Sequence, residues 1–353
     1  MPTNMAETRD TATAKDVAEL AGVSEATVSR CYKSSDSVSK ETYSRVMQIS
    51  EKLNFIPRTY KHRSMPEGKS DVIGVLITQI NNHFFASAIE AIEAVAEQNG
   101  LTVIICNTNE SVDREIKYLE MVRNRVGGLI ITPISQTNIY NGNYIKELND
   151  KVMPVIMLDR DINTAQLDGV FVDSARGVFE GIQALIANGH REIGIITGPI
   201  TSKPGIERLN GYLEALKANG IPINEEYIFY GDFTEKTGYA LTQKLLTKQK
   251  TITAVFSSNL IMTYGSLKAI SDFGYDIPDD IAFLTFDDYV FFGMRNFNIS
   301  GIYNPGRQLG DEAAHALIKR MRDPRHRENM ARRITLVPSL ILRGSERFPK
   351  NRL

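Results

Sequence analysis

The stretch Thr13-Ala-Lys-Asp-Val-Ala-Glu-Leu-Ala-Gly-Val-Ser-Glu-Ala-Thr-Val-Ser-Arg30 predicts two short helices joined by a tight turn. Thr13 is placed to cap the first helix, and Asp16, three residues later, completes the pattern of a capping box. Gly22 supplies the backbone freedom that a sharp turn between two helices requires. Ser24 then caps the second helix. Together these signals predict a helix-turn-helix.

The apolar residues of this stretch recur at helical spacing and predict a small core of Val17, Leu20, Ala21, Val23 and Val28. Four residues at the start of the second helix face outward, namely Glu25, Ala26, Ser29 and Arg30. The start of a recognition helix is where side chains meet base edges in the major groove. Double-stranded DNA is therefore the leading partner, and a surface helical hairpin without a ligand is the alternative.

Composition describes an ordinary soluble chain of 353 residues, 42% hydrophobic and 24% charged, with a net charge of −1. No apolar run is long enough to cross a membrane, and no signal peptide opens the chain. Its two cysteines, Cys31 and Cys106, form no CxxC pattern, which argues against a disulfide framework or a zinc site. The sequence thus predicts a cytoplasmic, nucleoid-associated protein with no metal, no cofactor and no membrane partner.

Basic residues concentrate after the helical stretch. Residues 13–63 hold nine Lys or Arg against six Asp or Glu, and no acid lies between Lys52 and Pro66. A run of this kind is often a solvated linker. Because it follows a helix-turn-helix, neutralisation of DNA phosphates is the more economical interpretation.

The sequence divides into segments of different pattern. We predict a disordered tail at 1–12, a helical headpiece at 13–57 whose third helix starts near Ser39, a hinge linker at 58–70, a core at 71–343 and a tail at 344–353. Within the core we predict an N-lobe of about 71–172 and 303–332. The expected C-lobe spans about 173–302 and 333–343.

Strands and helices alternate along the core. Eight apolar runs predict strands, at 72–77, 101–106, 128–132, 154–158, 192–196, 227–230, 254–256 and 281–284. Two such series predict an α/β core of two doubly wound parallel-sheet lobes, beside the all-α headpiece. Ligands in such sheets bind at the carboxyl ends of the strands, so two facing lobes form a cleft for one small molecule. The common enzyme motifs are missing, and we predict that the chain is not an enzyme.

Three motifs together resemble the headpiece of the lac repressor family of bacterial transcription regulators. They are the run from Asp16 to Arg30, Val38-Ser-x-x-Thr42, and Leu53-Asn-Phe-Ile-Pro57. The core, with runs such as Asn82-His-Phe-Phe85 and Thr285-Phe-Asp-Asp288, resembles the periplasmic binding protein-like sugar-binding core of the same family.

The resemblance implies a set of DNA-binding residues. Arg30 suits guanine, Glu25 a cytosine amino group and Ala26 a thymine methyl. The positioning residues are Thr13, Ser24, Thr27, Ser29, Thr42, Arg58, Lys61 and Arg63. For Ser29 and Thr42, helix capping or solvation is the alternative.

Family members commonly wedge a hinge leucine into the minor groove, but Ser64 stands at that position here. Met65 is either a substitute wedge or a loop residue.

The resemblance also implies an effector site. Its aromatic residues are Phe84, Phe85 and Phe233, and its polar residues are Asn82, Asp159, Arg160, Arg208, Asn259 and Asp287. The set is most similar to a ribose-binding site, except that Tyr303 replaces a glutamine, which leaves the identity of the sugar open. Core packing is the alternative for the phenylalanines, and a structural ion pair is the alternative for Asp159 and Arg160.

These expectations combine into one functional hypothesis. The chain is expected to be a homodimeric, sequence-specific transcriptional regulator that binds a near-palindromic operator. A small sugar, ribose-like or another monosaccharide, would switch operator affinity, by induction or by co-repression. A purine or sugar phosphate is the alternative ligand. A sugar transport protein and a sugar-processing enzyme are the other classes considered.

Overall fold

The computed structural model describes residues 13–33, 38–53, 55, 70–294, 297–323 and 330–352. The chain divides into two compact units, 1–67 and 68–353. The described part of the first unit is helical, and the second is α/β. None of the described helices is both long and apolar enough to span a bilayer.

Three helices build the first unit, α1 (Ala14–Ala21), α2 (Glu25–Lys33) and α3 (Lys40–Lys52). The capping box forms as expected, because the Thr13 side chain accepts from the Asp16 amide and the Asp16 carboxylate accepts from the Thr13 amide. Gly22 ends α1 in the left-handed conformation, with φ of 62°. The buried apolar residues are Val17, Ala18, Ala21, Val28, Cys31, Val46 and Phe55.

One predicted core position of this unit is wrong. Leu20 is 63% exposed instead of buried. The buried stripe of α1 runs through Val17, Ala18 and Ala21, and at 100° per residue Leu20 lies about 107° from its centre. The helix therefore turns its largest apolar side chain toward solvent.

The N-lobe of the second unit is a six-stranded parallel sheet. Its strands are β1 (Val72–Ile77), β2 (Thr102–Asn107), β3 (Gly128–Ile131), β4 (Val155–Leu158), β5 (Gly169–Val172) and β13 (Arg333–Leu336), in the order β13-β5-β4-β3-β1-β2. Its helices are α4 (His83–Gln98), α5 (Val112–Val122), α6 (Ile139–Glu147) and α11 (Gly306–Arg322). The central strands are buried on both faces, as parallel strands under helices require.

The C-lobe repeats this architecture. Its strands are β6 (Ile193–Thr197), β7 (Ile228–Tyr230), β8 (Ala254–Ser257), β9 (Ala282–Phe286), β12 (Ser300–Tyr303) and β14 (Ser339–Ile341), in the order β14-β12-β9-β8-β6-β7. Only β14 runs antiparallel to its neighbour among the strands of this sheet that the structure describes. Its helices are α7 (Ser174–Ala187), α8 (Lys203–Ala218), α9 (Glu235–Lys248) and α10 (Leu260–Asp272). A small hairpin adds β10 (Gly293–Met294) and β11 (Phe297–Asn298).

The C-terminal part of the chain corrects the expected lobe boundaries. Residues 333–336 form β13 and pair with β5, so they belong to the N-lobe sheet and not to the C-lobe. The expected tail also packs on the C-lobe, since Ser345 Oγ donates to the carbonyl of Phe283 at 2.6 Å and Glu346 is buried. Short strands of three or four residues that complete a sheet edge carry too little periodicity to stand out in the sequence.

Candidate ligand site

A pocket lies between the two lobes, at the carboxyl ends of their central strands, where a doubly wound sheet receives ligands. The space that a water molecule can reach inside it is about 20 Å³. Its lining residues are Gln79, Asn82, Phe84, Phe85, Asp159, Arg160, Pro204, Arg208, Phe233, Asn259 and Asp287. Nine of the ten residues predicted for the effector site are among them. The exception is Tyr303.

The N-lobe contributes a buried arginine that is already neutralised. Arg160 donates from Nη1 and Nη2 to the two carboxylate oxygens of Glu110 at 2.9 and 2.7 Å, and from Nη1 to the carbonyl of Ile134 at 3.3 Å. Burial works against the charged form, but the Glu110 carboxylate outweighs it and raises the pKa of Arg160. This arginine therefore brings little net charge to the pocket.

The C-lobe contributes an arginine in a different state. Arg208 is 4% exposed, donates from Nη1 to the carbonyl of Ser258, and stacks its guanidinium 3.8 Å from the ring centre of Phe286. Its Nε is buried without a hydrogen-bond partner in the described structure. Burial lowers the pKa of Arg208, although the Asp287 and Asp159 carboxylates oppose that change. Arg208 thus has unmet hydrogen-bonding capacity beside the pocket.

Two carboxylates line the same pocket. Asp287 accepts from the Asn304 amide group at 2.8 Å and from the Leu260 amide at 3.3 Å. Asp159 is 5% exposed, and burial raises its pKa to about 6 despite the positive charges of Arg208 and Arg160. Asp287 is therefore held by two donors, whereas Asp159 gains a proton more readily than an ordinary aspartate.

The two asparagines of the site begin helices. Asn82 Oδ1 accepts from the Phe84 amide at 3.0 Å and caps α4, and Asn259 Oδ1 accepts from the Met262 amide at 2.9 Å and caps α10. Because each carbonyl oxygen is committed to a cap, the amide nitrogen is what each side chain offers a ligand as a donor.

Three buried rings form the apolar walls. Phe84 and Phe85 meet edge to face with their centres 5.0 Å apart, and the Arg160 guanidinium lies 5.3 Å from the ring centre of Phe233. Phe233 also has a left-handed backbone, with φ of 65°, as do Asp159 and Asp287 at 63° and 69°. Non-glycine residues rarely adopt this conformation and are concentrated at functional sites.

Tyr303 does not belong to this pocket. It is 43% exposed and lines a neighbouring cavity. Tyr303 is the last residue of β12, and the next residue, Asn304, turns inward to donate to Asp287. The expected position is thus displaced by one residue along the chain.

Sequence reasoning missed three residues that organise the site. Gln79 donates from Nε2 to the carbonyl of Phe233 at 3.0 Å and so joins the two lobes, while Glu110 pairs with Arg160 and Asn304 holds Asp287. Gln79 lies just after β1, so the rule that sites form at strand ends was a signal for it. Glu110 lies 50 residues from Arg160 and carries no comparable signal.

The predicted DNA-contacting residues of the first unit lie around α2. Glu25, Ala26 and Arg30 are exposed, and Thr27 and Ser29 are half-buried. Ser24 Oγ accepts from the Thr27 amide at 3.2 Å, which makes it the cap of α2.

Two further predicted residues, Thr13 and Thr42, lie at the starts of α1 and α3. The Thr42 hydroxyl accepts from Ser39 Oγ at 2.9 Å. The predicted Arg58, Lys61, Arg63 and Met65, the Ser64 substitution and the linker at 58–69 lie outside the described residues.

Known proteins match both units. Residues 13–58 match the bacterial regulatory proteins of the lacI family, and residues 182–346 match a periplasmic binding protein-like domain. The HTH-type transcriptional repressor PurR of Photorhabdus laumondii is 32% identical over 339 residues, covering 95% of this chain and 96% of that protein.

Solved structures agree with these matches. The lac repressor dimer bound to operator and the anti-inducer ONPF is 25% identical and has a TM-score of 0.70, covering 96% of this chain and all of that one. A putative ribose operon repressor from Burkholderia thailandensis is 26% identical with a TM-score of 0.68, covering 78% of this chain and all of that one.

Proposed function

Because the chain belongs to the lacI family of bacterial regulatory proteins, we propose that a small neutral sugar in the interlobe pocket switches its affinity for operator DNA. The chain is a DNA-binding transcriptional repressor of that family and not an enzyme. What is proposed is the class of ligand and the residues that bind it. The arrangement of the two buried arginines carries this proposal.

The charges of the pocket favour a neutral ligand over an anion. Glu110 neutralises the positive charge of Arg160. The remaining charges of the pocket are then the guanidinium of Arg208 and the carboxylates of Asp159 and Asp287. A phosphate would be repelled by these carboxylates and would find no unpaired pair of guanidiniums. Sugar hydroxyls both donate and accept, and so they suit a pocket that offers carboxylate acceptors and guanidinium and amide donors.

The lining of the pocket supports a ligand that has both apolar faces and polar groups. Phe84, Phe85 and Phe233 supply buried apolar faces, and the polar groups lie between them. The space that water can reach inside the pocket is only about 20 Å³, against roughly 300 to 1,000 Å³ in ligand pockets, so a monosaccharide requires the two lobes to move apart. D-Ribose or another monosaccharide is the ligand we propose.

A purine is the second candidate because the relatives at 29–32% identity carry the name PurR. A purine base also has flat faces that stack on phenylalanine rings and edges that pair with carboxylates and amides. The two ligands offer the carboxylates different hydrogen-bonding groups. A sugar offers several hydroxyls, whereas a purine offers a few ring nitrogens.

The ligand test is a thermal-shift and calorimetry panel on the full chain. We expect a pentose or hexose to raise the unfolding midpoint, since a ligand of the folded state stabilises it. Purine bases and sugar phosphates complete the panel. Asp287→Asn should weaken binding of the active sugar, whereas Asp272→Asn, at an exposed carboxylate of α10, should not. A response to a purine with none to any sugar would overturn the proposal.

The DNA proposal concerns the predicted contacts of α2. We propose that Arg30 reads a guanine in each half-site of a near-palindromic operator bound by a homodimer. Arg30→Ala should then weaken specific binding by about 1–3 kcal/mol and relax the preference at one position. Arg45→Ala, at an exposed arginine of α3, is the matched control. An equal loss on specific and random DNA would contradict base reading by Arg30.

Ligand and operator binding are coupled through the same molecule. Closure of the lobes on the sugar selects one conformation of the second unit, and the coupling free energy is reciprocal. Titrating operator binding with and without the active sugar therefore gives the direction of the switch.

A further inference from the structure

Hydrogen bonds join the two lobes beside the ligand pocket. Gln79 of the N-lobe donates from Nε2 to the Phe233 carbonyl of the C-lobe at 3.0 Å. The Gln136 amide and the Ser135 hydroxyl of the N-lobe donate to the Thr201 carbonyl of the C-lobe at 3.0 and 3.4 Å. Of these three bonds, only that of Gln79 comes from a residue that lines the pocket. Gln79 and Phe233 therefore link the lobes across the ligand site itself.

The bond of Gln79 is buried, and the Phe233 carbonyl has no second donor among the described residues. Gln79 is 7% exposed and Phe233 is 3% exposed. The Thr237 amide, which follows Phe233 by one helical turn, bonds to the Thr234 side chain instead. Breaking a buried hydrogen bond costs free energy until water or a ligand replaces the lost partner. The bond from Gln79 to Phe233 thus favours the arrangement in which the lobes touch.

This arrangement leaves no room for a ligand of sugar size. The space that water can reach in the pocket, about 20 Å³, holds about one water molecule. The Phe233 ring cannot retreat into the C-lobe, because it packs so closely on Gly198 that a side chain there would overlap it. A ligand therefore enters only when the lobes part. A hydrogen bond of 3.0 Å does not survive a separation of more than about 0.5 Å, so parting breaks the Gln79 bond.

We propose that the hydrogen bond from Gln79 to Phe233 is an autoinhibitory latch, which a ligand must break in order to bind. The latch lowers the fraction of molecules whose lobes stand far enough apart, and the apparent affinity for every ligand of the pocket falls by that fraction. This inference rests on the proposed function, since it requires that a small molecule bind between the lobes. It does not require that the small molecule be a sugar.

Gln79→Met tests the latch, because methionine keeps the length of the side chain and deletes the donor. Loss of this hydrogen bond should raise the affinity of the full chain for D-ribose about 3- to 10-fold, as measured by calorimetry. Gln136→Met is the matched control, because Gln136 also lies between the lobes but bonds to Thr201 through its backbone amide, which the substitution retains. The control should bind D-ribose within about twofold of the wild type. An affinity that is unchanged or lower in Gln79→Met would overturn the latch.

A second measurement needs no ligand. Hydrogen exchange of the full chain, followed by mass spectrometry, reports local opening of the peptide 231–238, which contains Phe233 and the start of α9. Its amides should exchange at least about threefold faster in Gln79→Met and at the wild-type rate in Gln136→Met. Equal exchange in Gln79→Met and the wild type would overturn the latch, whatever the affinities. If no sugar or purine of the panel binds either chain, the proposed function fails, and hydrogen exchange still decides the latch.

Discussion

The two lobes have the same architecture but hold their buried arginines in opposite ways. In the N-lobe, Arg160 forms a bidentate pair with Glu110, and both belong to the same lobe. In the C-lobe, Arg208 is equally buried but is held by a carbonyl and an aromatic face. In both arginines the Nε atom is buried without a partner in the described structure. The N-lobe arginine is thus compensated by a hydrogen-bonded carboxylate before any ligand arrives, whereas Arg208 has no such carboxylate in the described structure. The difference suggests that Arg160 supports the site and Arg208 senses the ligand.

The largest effect is expected when Arg160 loses its partner. Glu110→Gln should lower the free energy of unfolding by about 2–4 kcal/mol, because a buried charge left without its partner is strongly destabilising. Urea unfolding of the full chain measures this change. Glu97→Gln, at an exposed carboxylate of α4, should change stability by less than about 0.5 kcal/mol. A Glu110 variant as stable as the control would remove the distinction between the two arginines.

The next effect concerns ligand binding at Arg208. Arg208→Met keeps most of the side-chain volume but deletes every donor, so the affinity for the active sugar should fall about 100-fold, or roughly 2.7 kcal/mol. Stability should stay level or rise, since replacing a buried ion by an apolar side chain is often neutral or favourable. Calorimetry and urea unfolding of the same variant give both values. A large loss of stability with intact binding would reverse the assigned roles.

The last effect is a pH dependence of stability that comes from Asp159, whose carboxylate lies near Arg160 and Arg208. Burial raises the pKa of Asp159 from 3.8 to about 6, so the folded protein binds this proton more tightly than the unfolded chain does. Its contribution to stability is therefore greatest below about pH 4 and declines as the pH rises through about 6. We expect a decline of up to about 3 kcal/mol, since the pKa rises by about two units and one unit corresponds to about 1.4 kcal/mol.

Asp159→Asn should flatten this decline in urea unfolding measured from pH 4 to pH 7.5. Glu115, whose pKa burial also raises, keeps part of the slope in the variant. Asp272→Asn is the opposite control, because a hydrogen bond from Lys268 lowers the pKa of Asp272. Its loss should reduce stability at neutral pH more than at acidic pH. If the unfolding free energy of the Asp159 variant changed with pH as in the wild type, a group other than Asp159 would be responsible for the pH dependence.

Local signals predicted much of this molecule. The capping box of Thr13 and Asp16, the glycine turn and the eight apolar runs each depend on neighbours within a few residues, and each forms near its expected position. The resemblance to known regulators then supplied nine of the residues that line the pocket. The resemblance identified these residues by type and position, but it did not predict their hydrogen-bond or ion-pair partners.

Pairings between distant segments were not predictable in the same way. The partner of Arg160 is Glu110, 50 residues earlier and in a left-handed backbone conformation, and nothing in the pattern separates it from the other acidic residues. Tyr303 lines the neighbouring cavity instead of the pocket, because successive side chains at a strand end point to opposite faces. The pairing of distant residues and the inward or outward direction of a side chain at a strand end depend on how the elements pack and pair. Patterns among neighbouring residues do not encode them.

The strand β13 has a consequence for the order in which the units fold during synthesis. It completes the N-lobe sheet beside β5, although 160 residues lie between Val172 at the end of β5 and Arg333 at the start of β13. That segment contains α11 and all the C-lobe strands except β14. The helical unit closes its own core with Phe55. At roughly 5–20 residues per second, about 15 to 60 s pass between synthesis of Phe55 and of Leu336. A nascent chain therefore carries a complete DNA-binding unit well before its sensor unit can fold.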